Sequence, residues 1–271
     1  MIPNVLSIAV PDPSGGAGIF ADLKAFSALG AYGMGVVVAL TAQNTQGVTG
    51  IHVLPPEFVD LQIDTLYADV RVDAVKLGML ANARIVATVA QALRRHGVSR
   101  LVVDPVMVAK SGHHLLEPEA VDTLRRELLP QAEVITPNLP EAAVLLGRPE
   151  AASLEEMREV ARALCRLGPR HVLLKGGHLA GSESVDILDD GTTQREFRTA
   201  RIATKNTHGT GCTLAAAIAA LLPQSADVAE AVERAKAYVT GAIAASGALT
   251  VGSGHGPTHH FHALWKQPGG A

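Results

Sequence analysis

Short, continuously apolar runs alternate with longer amphipathic stretches along nearly all of this chain, and no other feature narrows its fold as far. Residues 5–10, 35–42, 74–77, 101–104, 134–136 and 171–175 read as strands. Residues 19–29, 56–68, 83–96, 118–129, 141–146, 154–167, 211–222 and 228–246 read as helices. Some boundaries carry their own punctuation: Pro56 in a first turn, where a missing N–H does no harm, Gly97 after one helix and Gly168-Pro169 after another. Residues 185–188 and 195–198 flank Asp189-Asp190-Gly191, a hairpin signal. Strands that are apolar throughout must be covered on both faces, which crossover helices achieve. The pattern therefore predicts an α/β fold with a mainly parallel central sheet and a small β-hairpin. Aromatic residues are 3% of the chain and hydrophobic residues 48%, so the core is aliphatic. No Pro/Gly/Ser linker interrupts the middle; one domain over residues 1–271 is expected, with 266–271 a frayed tail.

The charge balance removes two classes of function. A net charge of −3 with no block of like charge argues against nucleic-acid and membrane-surface partners. Two cysteines far apart make no disulfide framework and suit a reducing compartment. Residues 1–10 are too short, and lack the basic flank, for a signal peptide; no run approaches the length of a membrane span. A cytoplasmic location is the expectation.

Unusual residues gather where strands hand over to helices, the side on which open α/β sheets bind ligands. Asn206-Thr207-His208-Gly209-Thr210-Gly211-Cys212 precedes a helix of small residues. Bare amides there, with the helix dipole, can cradle an anion that gains charge during a reaction, and the same field favours a Cys212 thiolate. The alternative is a glycine turn that packs helix on strand beside a buried cysteine. Asp12-Pro13-Ser14-Gly15-Gly16-Ala17-Gly18 is a tight loop whose glycines allow close approach to a ligand, or a plain turn. Asp22 follows it, facing either ligand or solvent. Gln43, in Gln43-Asn44-Thr45, offers an amide suited to a heteroaromatic amine, or a turn cap. Gly78-Met79 offers a flat wall for a ring, or core. Asp104 and Glu141 are candidate magnesium contacts, because magnesium takes one or two carboxylates and fills its shell with water and phosphate. Asn138 and Glu141 lie one helical turn apart; the alternative role for Glu141 is a carboxylate at a helix N-terminus. Lys175-Gly176-Gly177-His178 sets an ammonium beside free backbone, suited to a phosphate. Lys110-Ser111-Gly112-His113-His114 reads as a flap; His113 and His114 lack further ligands at zinc spacing.

Together these motifs resemble the ribokinase-like superfamily, and within it the hydroxymethylpyrimidine/phosphomethylpyrimidine kinases of thiamine biosynthesis. The likeness runs from about Val5 to His262 and takes in, in the family's order, the loop from Asp12 to Gly18, Ala42-Gln43-Asn44-Thr45, Lys76-Leu77-Gly78-Met79, Asp104-Pro105-Val106-Met107-Val108, Thr136-Pro137-Asn138-Leu139-Pro140-Glu141, Lys175-Gly176-Gly177-His178 and the run from Asn206 to Cys212. The resemblance implies a ribokinase-like three-layer α/β/α sandwich that uses ATP and Mg2+ to phosphorylate 4-amino-5-hydroxymethyl-2-methylpyrimidine and then its monophosphate. It implies that Gln43 reads the aminopyrimidine, with Gly18, Asp22, Met79 and Val106 around the ring. Gly209, Thr210, Gly211 and Cys212 would form the anion hole, with Cys212 as base where most of the superfamily has an aspartate. Asp104 and Glu141 would organise magnesium; Lys175, Asn138, Thr210 and Lys236 would face the nucleotide. A homodimer is expected. One departure stands out: the family has Gly-Ser before Asp12, and this chain has Val10-Pro11, which removes an amide N–H. The competing readings are a pyridoxal kinase on the same fold, a hydrolase using Cys212 and His208, and a non-catalytic sensor.

Overall fold

Alternate side chains of the apolar runs enter two separate cores, which is what a sheet covered on both faces requires. The structure, a computed structural model, describes residues 1–107 and 117–265. Its elements, in chain order, begin with β1 (Asn4–Ala9), α1 (Gly18–Ala28), β2 (Tyr32–Val37), β3 (Ala39–Gln43), β4 (Val48–Val53) and α2 (Pro56–Tyr67). They continue with β5 (Ala74–Leu77), α3 (Ala83–Arg95), β6 (Leu101–Val103), α4 (Pro118–Thr123), β7 (Val134–Ile135), α5 (Leu139–Leu146) and α6 (Leu154–Cys165). The last are β8 (His171–Lys175), β9 (Glu183–Asp189), β10 (Gln194–Ala200), α7 (Thr210–Leu221) and α8 (Val228–Ala244). Among the described residues, one sheet has the order β10-β9-β8-β7-β6-β5-β1-β2. Its pairings from β2 through β8 are parallel, while β9 and β10 are antiparallel.

On one face Leu6 and Ile8 of β1, Leu101 and Val103 of β6, and Val172 and Leu174 of β8 meet α2, α3, α5 and α6. On the other, Val5, Val102 and Leu173 meet α1, α7 and α8. Both sheet faces are thus covered, giving three layers. Helix α7 is buried on all sides, and its alanines at 215–217, 219 and 220 let it lie close against the sheet, between α1 and α8. Large side chains there would hold its N-terminus, and the residues on it, away from the strand ends.

Two expectations need correction. Residues 35–42 do not form one strand. The chain leaves the sheet at Val38, whose N–H donates to Ala9 O and whose carbonyl accepts from Leu54 N. Beyond it, β3 and β4 form a separate two-stranded antiparallel sheet with an irregularity between Ala42 and Gln43. The strand β4 was not recognised because its apolar side chains are mostly exposed. Helix 118–129 is also broken: α4 ends at Thr123 and the chain continues as a π-helical stretch, Leu124–Leu128, and a short 3-10 turn. Pro130 accounts for that end, since it supplies no N–H to continue a helical ladder. The expected hairpin exists, but β9 and β10 extend the main sheet. The expected flap at 110–114 and the tail at 266–271 lie outside the described residues.

Candidate active site

The parallel strands end along one rim, and a cleft of about 1000 Å³ opens there. It is lined by Gly18, Gln43, Met79, Asp104, Val106, Asn138, Glu141, Lys175, Gly209, Thr210, Gly211, Cys212 and Lys236. Residues as far apart in the sequence as Gly18 and Lys236 are therefore brought together at one opening.

One wall is the turn before α7. Gly209 is the N-terminal cap of α7 with φ +75°, a left-handed conformation that glycine adopts without strain. A Cβ there would run into the Gly16 carbonyl oxygen, so the turn lies directly against the 12–18 loop. Asp12 locks the two together. Its carboxylate accepts from His208 Nε2 at 2.7 Å, Ser14 N at 2.9 Å and Ala17 N at 3.1 Å. Burial would raise the Asp12 carboxyl, but these donors outweigh it and hold it below the usual carboxylate range. The Gly211 and Cys212 amides, in the first turn of α7, lack intrahelical acceptors, and both residues line the cleft. A Cβ on Gly211 would lie 3.2 Å from Lys175 Nζ and 3.8 Å from Asp104 Oδ2. The glycine turn and the charged wall opposite thus lie close against one another.

That opposite wall is a charge cluster. Asp104 Oδ1 accepts from Thr136 Oγ1 and from Lys175 Nζ, each at 3.0 Å. Glu141 Oε2 lies 3.9 Å from Lys175 Nζ. Glu141 and Asn138 also form a reciprocal cap on α5: Asn138 Oδ1 accepts from Glu141 N at 2.8 Å, and Glu141 Oε2 accepts from Asn138 N at 2.7 Å. The helix-capping role weighed for Glu141 is therefore real, and its carboxylate reaches the cleft as well. Burial raises the Glu141 carboxyl to about 7, with Asp104 adding to the effect and Lys175 opposing it. Burial alone would lower the Lys175 ammonium; Asp104 and Glu141 more than offset that and hold it charged.

Two residues, Asp22 and Cys212, do not sit as expected, and Lys236 lies in the cleft already partnered. Asp22 is fully buried beneath the cleft and does not reach it. It binds Lys76 Nζ through both oxygens, at 2.8 and 3.0 Å, and accepts from Ser7 Oγ at 2.6 Å. Direct contact of Asp22 with a ligand is therefore excluded, because neighbours from β1 and β5 already claim the carboxylate. Lys236 lines the cleft but donates to Asp186 Oδ2 at 2.7 Å and Ser184 O at 3.2 Å. Cys212 is not poised as a thiolate. Burial, reinforced by Asp104 and Asp22, pushes its thiol up to about 11, against the lowering influence of Lys76 and the Gly18 N–H.

Sequence reasoning quoted Lys76 and Thr136 within motifs but gave them no role, and it missed Asp186. Lys76 and Asp186 each interrupt an apolar strand with a charge, and that was the available signal. It also missed the segment from 252 to 262, which crosses the site: His255 N donates to Thr45 O, and His208 N to Gly256 O. Pro11, in the departure from the family pattern, is buried at the cleft wall, and its carbonyl accepts from Thr41 Oγ1 at 2.9 Å.

With the geometry in place, likeness to known proteins can be weighed. A family model described as phosphomethylpyrimidine kinase matches residues 12–259. The chain belongs to that family. It is accordingly a phosphotransferase with the ribokinase-like fold. The hydroxymethylpyrimidine/phosphomethylpyrimidine kinase of Salmonella typhimurium is 54% identical over 262 residues, covering 97% of this chain and 98% of that protein. Among solved structures, a Bacillus subtilis pyridoxal kinase in an ADP complex superposes with a TM-score of 0.90 at 36% identity, over 98% of this chain and 100% of the other. A phosphomethylpyrimidine kinase from Clostridium difficile superposes with a TM-score of 0.79 at 41% identity, over 89% of this chain and 99% of the other.

Proposed function

We propose that this chain transfers the γ-phosphoryl group of ATP first to the hydroxyl of 4-amino-5-hydroxymethyl-2-methylpyrimidine and then to the resulting monophosphate, in thiamine biosynthesis. The observation that carries this reading is the apposition of the Gly209–Cys212 turn to the Lys175–Asp104–Glu141 cluster across a single cleft. Phosphoryl transfer needs positioning and charge neutralisation more than covalent chemistry, and those two walls supply them. The transferring group sits between them, its developing negative charge met by the Gly211 and Cys212 amides on one side and the Lys175 ammonium on the other. The acceptor ring lies toward Gln43, Met79, Val106 and Gly18, which share the cleft. Cys212, at the start of α7, takes the hydroxyl proton in the first transfer through its minor thiolate form and becomes the thiol. Asn138 and Lys236 line the nucleotide side, where Asp186 orients the lysine.

Asp104 and Glu141 fit a magnesium ion. Both face the cleft, and two carboxylates are what magnesium takes from protein when phosphates complete its shell. The described residues hold no cluster of three or more metal-ligating side chains, which suits an ion arriving with the nucleotide and not a resident one. When bound, magnesium would neutralise phosphate charge. The chain's own part is to hold two carboxylates near a lysine that keeps them from repelling each other.

A homodimer belongs to the same proposal. Exposed apolar side chains gather on the β3–β4 sheet (Leu40, Ile51 and Val53), on edge strand β2 (Tyr32) and on α1 (Phe20). No helix among the described residues is long and apolar enough to cross a membrane.

The test is a coupled ADP-release assay with hydroxymethylpyrimidine, its monophosphate and pyridoxal side by side. Magnesium-dependent turnover of both pyrimidines is expected. Turnover of pyridoxal without either pyrimidine would overturn the substrate assignment and leave the kinase class intact.

A further inference from the structure

A buried histidine outside the cleft is wired to the turn that receives the anion. His260 lies near the end of the segment that crosses the site and is 4% exposed. Its Nε2 lies 3.0 Å from Thr213 Oγ1, in the first turn of α7. Thr213 Oγ1 donates to Gly209 O at 2.8 Å, and Thr213 N donates to the same oxygen at 2.8 Å. A hydroxyl has one proton to give; with that proton directed to Gly209 O, His260 is the donor to Thr213 through Nε2. The backbone that carries it is held as well: Tyr238 Oη donates to the His260 main-chain carbonyl at 2.8 Å.

The relay ends on the peptide that starts the anion hole. Gly209 O is the first acceptor of α7, and its orientation sets where the next amides point. An ordinary α-helix would leave that carbonyl to a single backbone N–H. Here the Thr213 hydroxyl adds a second bond, and a donor behind that hydroxyl polarises it and forbids its rotation. Burial, reinforced by the Lys24 ammonium and the neighbouring His259 ring, lowers the His260 imidazole to about 4. It therefore stays neutral at working pH, with a single ring proton.

We infer that His260 is a positioning residue for phosphoryl transfer, acting through Thr213 to hold the Gly209–Cys212 amides in register with the transferring group. This rests on the anion-hole reading of that turn. Because both transfers use the same hole, losing the relay slows both, and acceptor binding at the Gln43 end is untouched.

Steady-state kinetics of His260→Ala, His260→Gln, Thr213→Val and the His260→Ala/Thr213→Val double variant form the test, with Gly211→Val alongside. Removing an outer hydrogen-bond partner of a reacting group commonly costs about 10–100-fold in activity. Losses in kcat of that size are expected for both transfers in His260→Ala and Thr213→Val, with KM for the pyrimidine unchanged. Glutamine, which can place an amide N–H where Nε2 stands, is expected to restore most of the rate. The double variant is expected to fall no further than the worse single one. Wild-type kcat in Thr213→Val, which keeps the side-chain shape, overturns the inference even if His260→Ala fails to fold. So do additive losses, or a loss confined to KM. A harmless Gly211→Val would instead overturn the anion hole itself.

Discussion

Cys212 shows how one residue's setting alters what its type suggests. Its place at a helix start suggested a thiolate; its burial holds a thiol near 11, so at pH 7 roughly one molecule in 10⁴ carries the base form. The thiolate fraction grows about tenfold with each pH unit below that value. If Cys212 takes the hydroxyl proton, the first transfer is expected to accelerate from pH 6.5 to 9.5. The second transfer starts from a phosphate whose second pKa lies near 6, so its rate is expected to stay flat above pH 7. Initial rates across that range check this, and a flat first-transfer profile removes the thiol from proton transfer. Gln43 gives a separate test. Gln43→Ala is expected to weaken pyrimidine binding by about 1–3 kcal/mol, the usual cost of stranding a buried polar partner, with ATP affinity unmoved. Equal losses for both ligands, measured by calorimetry, would assign Gln43 to the fold. Glu141→Gln is expected to raise the magnesium concentration needed for half-maximal turnover, which a magnesium titration reads directly.

At the scale of elements, the glycine turn before α7 is specified by more than flexibility. Gly209 and Gly30 have nearly the same left-handed φ, +75° and +76°, but a Cβ at Gly30 meets nothing within 4 Å whereas one at Gly209 meets backbone. Gly30→Ala is therefore expected to cost only the conformational penalty, about 1–2 kcal/mol. Gly209→Ala is expected to cost clearly more and to abolish turnover, since the 12–18 loop must move with it. Urea unfolding of the two variants decides; equal midpoints would mean the loops are not packed as described. Elements whose period and burial agree were legible from the sequence. The buried strands and α1, α3, α7 and α8 fall within about two residues of where apolar periodicity puts them. The β3–β4 sheet was not, because its outward side chains are apolar and so erase the alternation that marks a half-exposed strand.

For the whole molecule, the cleft was legible as a list of residues but not as a network. Every motif that a strand end presents to the cleft carries an unusual residue type, and those were found. What the sequence hid are the bonds between distant segments: Asp12 with His208, Asp22 with Lys76, Lys236 with Asp186, and 252–262 with both ends of the cleft. Periodicity reports which face a residue occupies, not its partner on another element. Assembly belongs to this scale too. Leu40→Glu/Ile51→Glu is expected to convert a dimer to a monomer by light scattering, and a monomeric wild-type chain contradicts the dimer. The central claim is that two successive transfers share one anion hole while only the first needs a base. Single-turnover rates of both steps in Cys212→Ala and Gly211→Val test it most directly. Cys212→Ala is predicted to slow the first step by about 10²–10⁴-fold and the second far less, while Gly211→Val slows both. Equal losses in the two steps for Cys212→Ala would contradict the account and leave the thiol as packing.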